Sequence, residues 1–66
     1  MTKEDALTIA KSECDSRDWP WMQPILVSRN AASYRVWTNA NARGGNAHIE
    51  IRIHDAKIVL AALTPR

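Results

Sequence analysis

The 66-residue chain has one cysteine, two glycines, three prolines and no phenylalanine. A lone Cys14 excludes an internal disulfide and zinc sites built from paired thiolates. On a helix it reads as a small buried apolar side chain rather than a reactive or intermolecular thiol. No phosphate-cradling glycine loop followed by Lys and Ser or Thr is present. The longest uncharged apolar run is Ile58–Leu63, far short of the roughly 20 residues that a membrane span needs. MTKEDAL at the start carries no apolar signal core, so a cytoplasmic protein is expected, or a periplasmic or secreted one if a leader has been removed.

What is present is one small domain, residues 1–66, with a thin core. Its net charge of +2 is unevenly spread. Residues 1–18 hold three cations and five anions, a net of −2; residues 19–66 hold six cations and two anions, a net of +4. An acidic helix followed by a basic sheet can attract an anionic partner, or can be simply a charged, solvated surface.

Thr2 followed by Asp5 is close to a capping box. Ala6, Ala10 and Cys14 recur every fourth residue, flanked by Leu7 and Ile9. This predicts an amphipathic helix over about Lys3–Arg17, its small central side chains suited to close approach to a sheet. Pro20 and Pro24 in WPWMQP end it and make a stiff crossover. Trp19 and Trp21 either plug the ends of the core or form an aromatic ligand pair.

Four strands are expected, near residues 25–29, 34–39, 46–54 and 57–63. Asn30–Ser33 is a hairpin turn between the first two. In the second, Tyr34, Val36 and Thr38 share one face, and Arg35, Trp37 and Asn39 the other. The third, AHIEIRIH, alternates most cleanly: Ala47, Ile49, Ile51 and Ile53 inward, His48, Glu50, Arg52 and His54 outward. Between these strands lies ARGGN, Ala42–Asn46. A single Arg-Gly-Gly is not a repeated RNA-binding tract, and the two glycines supply positive φ for a turn. The last strand is apolar on both faces, with Ile58, Leu60 and Ala62 on one and Val59, Ala61 and Leu63 on the other. In a simple meander it would be an exposed edge, which implies a different strand order or a cover such as a second copy.

No catalytic constellation emerges. His48 and His54 stand six residues apart on one strand, roughly 20 Å, and cannot share a metal. Ser12, Ser16, Ser28 and Ser33 lack a nucleophile elbow. Cys14 lacks a basic neighbour to activate it. No catalytic residue, metal or cofactor is expected. Binding remains, through Arg35, Trp37, His48 and Arg52 on the outer sheet face and Arg43, Gly44 and Gly45 in the loop. An exposed Trp among arginines is a hot-spot composition for protein interfaces, and it can equally stack a base beside phosphate. Trp37 can also be covered by the last strand or by a second copy.

The A-x-x-x-A helix (Ala6, Ala10), the strand start YRV (Tyr34–Val36) and the stretch IRIHDAKIV (Ile51–Val59) together resemble a PepSY-type domain over most of the chain. The Asp55-Ala56 turn is shorter than that family's usual Thr-Gly turn. The run through Trp37, Thr38, Asn39 and Arg43–Asn46 is similar to small bacterial immunity proteins of cystatin-like or nuclear-transport-factor-like type. These resemblances imply a helix packed on a curved antiparallel sheet, and a role in binding or inhibiting another protein, often a peptidase or a toxin.

The expected architecture is therefore α+β, one N-terminal helix packed on a curved antiparallel sheet of about four strands. The expected function is a small non-catalytic protein-binding module of inhibitor or immunity type, using the outer sheet face and the Ala42–Asn46 loop. The alternatives are a nucleic-acid binder using the basic sheet half, which is the less favoured, and a dimeric structural module joined through Ile58–Leu63. No membrane partner is expected.

Overall fold

A computed structural model describes residues 1–65. Helix α1 spans Lys3–Ser16, and strands β1 (Leu26–Arg29), β2 (Ser33–Trp37), β3 (Ala47–Arg52) and β4 (Ile58–Leu63) follow it. The strands form one antiparallel sheet in the order β1-β2-β3-β4, a plain meander. The fold is α+β.

The helix begins where its sequence can satisfy its first free N–H groups. Thr2 Oγ1 accepts from Asp5 N–H at 3.2 Å, and Asp5 Oδ2 accepts from Thr2 N–H at 2.9 Å, a reciprocal capping box. These bonds hold the Asp5 carboxyl below its ordinary pKa, because they favour its charged form. Ala6, Ala10 and Cys14 are the buried helix residues. They lie against Val36, Ile49 and Ile51, and their small side chains let the helix backbone approach the sheet closely. Burial pushes the Cys14 thiol above its ordinary pKa, with Asp15 and Glu13 adding to the effect, so the thiol stays protonated.

Asp18, in the left-handed region at φ 57°, turns the chain out of the helix, while Trp19 N–H bonds Cys14 O at 2.9 Å. Trp19 and Trp21 are half-buried and pack against the core. They are therefore plugs of the core rim, and the Arg17 guanidinium sits 5.0 Å from the Trp19 ring centroid.

In the β1–β2 hairpin, Asn30 Oδ1 accepts from the N–H groups of Ala32 and Ser33, both at 2.8 Å, so this side chain builds the turn. Strand β2 ends at Trp37, two residues earlier than the pattern predicts. Asn39 takes φ 52° and is buried instead of continuing the outer face. Strand β3 ends at Arg52 rather than His54. Ile53 is half-buried, its N–H bonding Ala32 O at 2.9 Å, and His54 lies in the following turn. Strict alternation also fails in β4. A bulge pairs Glu50 with Leu60 but Ile51 with Ile58, leaving Val59 as the extra residue. Ile58 thus packs on the core with Ile51, not on the side of Leu60.

The order is a simple meander, so β4 is an edge after all. Within the described residues nothing covers it: Val59, Leu60 and Leu63 are all exposed.

Candidate functional site

The pairing registers sort the outer sheet face into cross-strand rows. Leu26, Trp37, His48 and Ala62 form the first; Ser28, Arg35, Glu50 and Leu60 form the second. Ser33 and Arg52 belong to a third. The first two rows border an open groove of about 630 Å³. Leu26 and Leu60 stand at its sides on β1 and β4, with Trp37 and His48 between them. Helix α1 lies on the other face, because the alternation of β2 and β3 sends Val36, Ile49 and Ile51 that way.

Trp37 and His48 are register partners, and their rings meet edge to face with centroids 3.6 Å apart at 63°. His48 Nε2 also lies 3.0 Å from Thr64 Oγ1. Burial favours the neutral imidazole and moves the His48 pKa below its ordinary value. The ring is thus a neutral, fixed support for the indole.

The second row is ionic but internally balanced. Arg35 Nε lies 3.4 Å from Glu50 Oε1, and Ser33 Oγ donates to Glu50 Oε2 at 2.7 Å. Arg52 is tied down too. Its Nη2 donates to Asp55 Oδ2 at 2.6 Å, and its Nε to Asp55 Oδ1 at 3.0 Å. This guanidinium holds the Asp55 carboxyl far below the usual carboxylate range. Arg52 stands four positions along β3 from His48, roughly 13 Å at strand spacing, so it does not join the Trp37 cluster.

The Ala42–Asn46 loop closes the end of the sheet nearest Trp37. Its organiser is the buried Asn46. The Asn46 Nδ2 donates to Thr38 O at 2.9 Å and Asn39 O at 2.8 Å, while its Oδ1 accepts from Gly44 N–H at 3.0 Å. Gly44 and Gly45 take φ of 91° and 68°, values that glycine reaches without the cost a Cβ adds. Gly44 is buried, and Gly45 N–H bonds Thr64 O at 2.8 Å. Gly45 is half-buried, and both glycines shape the loop. Arg43 is exposed at the tip and makes no ion pair among the described residues.

Of the seven residues singled out from sequence, the structure groups Arg35, Trp37 and His48 on one face, with Arg43 at its end. Arg52 is set apart by Asp55, and the glycines by their place in the loop. Sequence reasoning missed Leu26 and Leu60, the apolar sides of the groove. The signal for Leu26 was available, since it falls between the inward Ile25 and Val27; that for Leu60 was not, because the Val59 bulge breaks the alternation of β4. Asn46 stood in that reading only as the last residue of the ARGGN loop, and nothing in one sequence marks which of the nearby asparagines will organise the loop.

His48 lies near the start of β3 and His54 in the turn beyond its end, and among the described residues no group of three or more His, Cys, Asp or Glu is placed to hold a metal. No helix is long and apolar enough to cross a membrane. What the fold defines is an α+β meander with one sheet face sealed by a helix and the other left open. Comparison with family models, with characterised proteins and with solved structures gives no match.

Proposed function

We propose that this chain is a non-catalytic protein-recognition module, of inhibitor or immunity type, that takes a protein partner on the open sheet face. The observation that carries this reading is the apolar groove around Trp37, exposed on a four-stranded sheet and bordered by Leu26 and Leu60. A half-exposed indole held rigid by its His48 neighbour loses little conformational freedom on binding, which suits an anchor residue. The resemblance to PepSY-type and cystatin-like domains adds to it, and points to a peptidase or a toxin as the partner.

Charge narrows the partner's chemistry. Arg35 and Arg52 are neutralised by Glu50 and Asp55, so the face offers few free cations to a phosphate backbone. A nucleic acid, whose affinity depends on many such contacts, is the poorer fit. Among the described residues Arg43 makes no ion pair, and its place at the end nearest Trp37 suits an apolar segment flanked by an acidic residue. The test is capture of partners by tagged wild type, followed by their identification and by affinity measurement with Trp37→Ala and Arg43→Ala. Trp37→Ala should weaken binding by about 2 kcal/mol or more, and Arg43→Ala should lower it mainly at low salt. Full retention by both folded variants refutes this face as the binding site.

A further inference from the structure

The free edge of β4 is a second surface, independent of the open face. Thr64 N–H bonds Asn46 O, and Arg52 N–H bonds Lys57 O. Antiparallel alternation then turns the backbone polar groups of Leu60 and Ala62 toward β3, and those of Ala61 and Leu63 outward, beyond the Val59 bulge. An outward row of N–H and C=O groups is a template for another strand.

Apart from the bulge at Val59, Ile58–Leu63 carries none of the usual protections of such an edge, for it contains no charge and no proline. The opposite edge differs. Strand β1 has four residues, follows Pro24 and ends in Arg29. The helix contacts β2 and β3 and leaves the end of β4 uncovered, so Val59 and Leu63 stay exposed.

The strand is also complementary to itself. Paired antiparallel with a second copy about Ala61, it sets Ala61 against Ala61, Leu60 against Ala62, and Val59 against Leu63. Large faces small at the two Leu60–Ala62 pairs, and every facing residue of this strand is neutral. Lys57 falls opposite Pro65, so it meets no charge directly across. We propose that two copies of this chain pair edge to edge through β4, joining their sheets into one of eight strands about a two-fold axis at Ala61. Both helices then lie on one side, with Ala61 and Leu63 of each copy between them. The Trp37 faces stay open on the other side.

Sedimentation equilibrium across micromolar to millimolar concentration tests this, with twice the 7.4 kDa chain mass expected at the upper end. Ala61→Pro removes an N–H that points away from β3, so the folded variant should sediment as a monomer. If that variant does not fold, Leu63→Lys, at an exposed position, decides instead. Amide exchange at Ala61 and Leu63 should slow roughly tenfold or more with rising wild-type concentration. A wild-type monomer throughout, or a dimer that survives in the folded edge variants, overturns the proposal. So does a dimer abolished by Trp37→Glu but kept by Ala61→Pro, which would mean pairing face to face.

Discussion

The two faces of this sheet differ less in composition than in what lies over them. On the inner face Val36, Ile49 and Ile51 are no more than 2% exposed, sealed by a helix whose contact residues are Ala6, Ala10 and Cys14. On the outer face Leu26 is 59% exposed, Leu60 48% and Trp37 39%. The inner set supplies the stability of a small chain, since about 1.5–3 kcal/mol comes from burying each large aliphatic side chain. The outer set contributes far less to folding, so its apolar character calls for another explanation. Contiguous exposed apolar surface on a soluble domain marks an interaction site. The inner face thus maintains the fold, and the outer face is where we place function.

The hardest way to break this division is Ile51→Asp. Ile51 is fully buried between β2 and β4 under the helix. The substitution loses the Ile transfer energy and adds an unpaired buried carboxylate, a total above about 5 kcal/mol, comparable with the entire stability of a domain this size. Far-ultraviolet circular dichroism and thermal melts should show no cooperative transition. A cooperative melt would remove the inner face from its structural role.

Asn46→Ala probes the loop that borders both faces, with a smaller effect. Two backbone carbonyls and the Gly44 N–H lose their buried amide partner. The expected loss is about 2–4 kcal/mol, read as a lower denaturation midpoint with an unchanged slope. A loss below about 0.5 kcal/mol would mean that water replaces these bonds and that the loop is not organised by Asn46.

How far the sequence disclosed this division depended on the physics behind each element. The capping box at Thr2, the A-x-x-x-A helix and the alternation of β3 are local and periodic, and each forms from the residue the pattern gives, although the helix stops at Ser16 and the strand at Arg52. The doubly apolar β4 was legible as an anomaly, and it is the sheet's uncovered edge. The strand ends at Trp37 and Arg52 were not legible, because they depend on backbone partners: Thr38 Oγ1 takes the Ala47 N–H at 2.8 Å, and Ala32 O takes that of Ile53. Nor was the Val59 bulge, which no alternation rule contains. At the candidate site Trp37, Arg35 and His48 were found by face alone. Which arginines are free was not, since that rests on Glu50 and Asp55 finding them in three dimensions.

The subtlest contrast between the faces is carried by His48, an outer-face residue that behaves in part like an inner one. Its ring lies against Trp37 and beside Thr64, and burial disfavours its protonated form. The folded pKa therefore lies below the ordinary 6.5, while the unfolded chain titrates near that value. Below it, the unfolded state binds the proton more readily, so stability rises with pH through this region. The His48 contribution is fully present above about pH 6.5 and is lost as pH falls through the folded pKa. Nuclear magnetic resonance titration of the His48 ring should give a midpoint below 6.5, and Trp37→Ala, which uncovers the ring, should move it upward. A wild-type midpoint at or above 6.5 would show the imidazole to be freely solvated, and with it the indole would lose the rigid support that makes it an anchor.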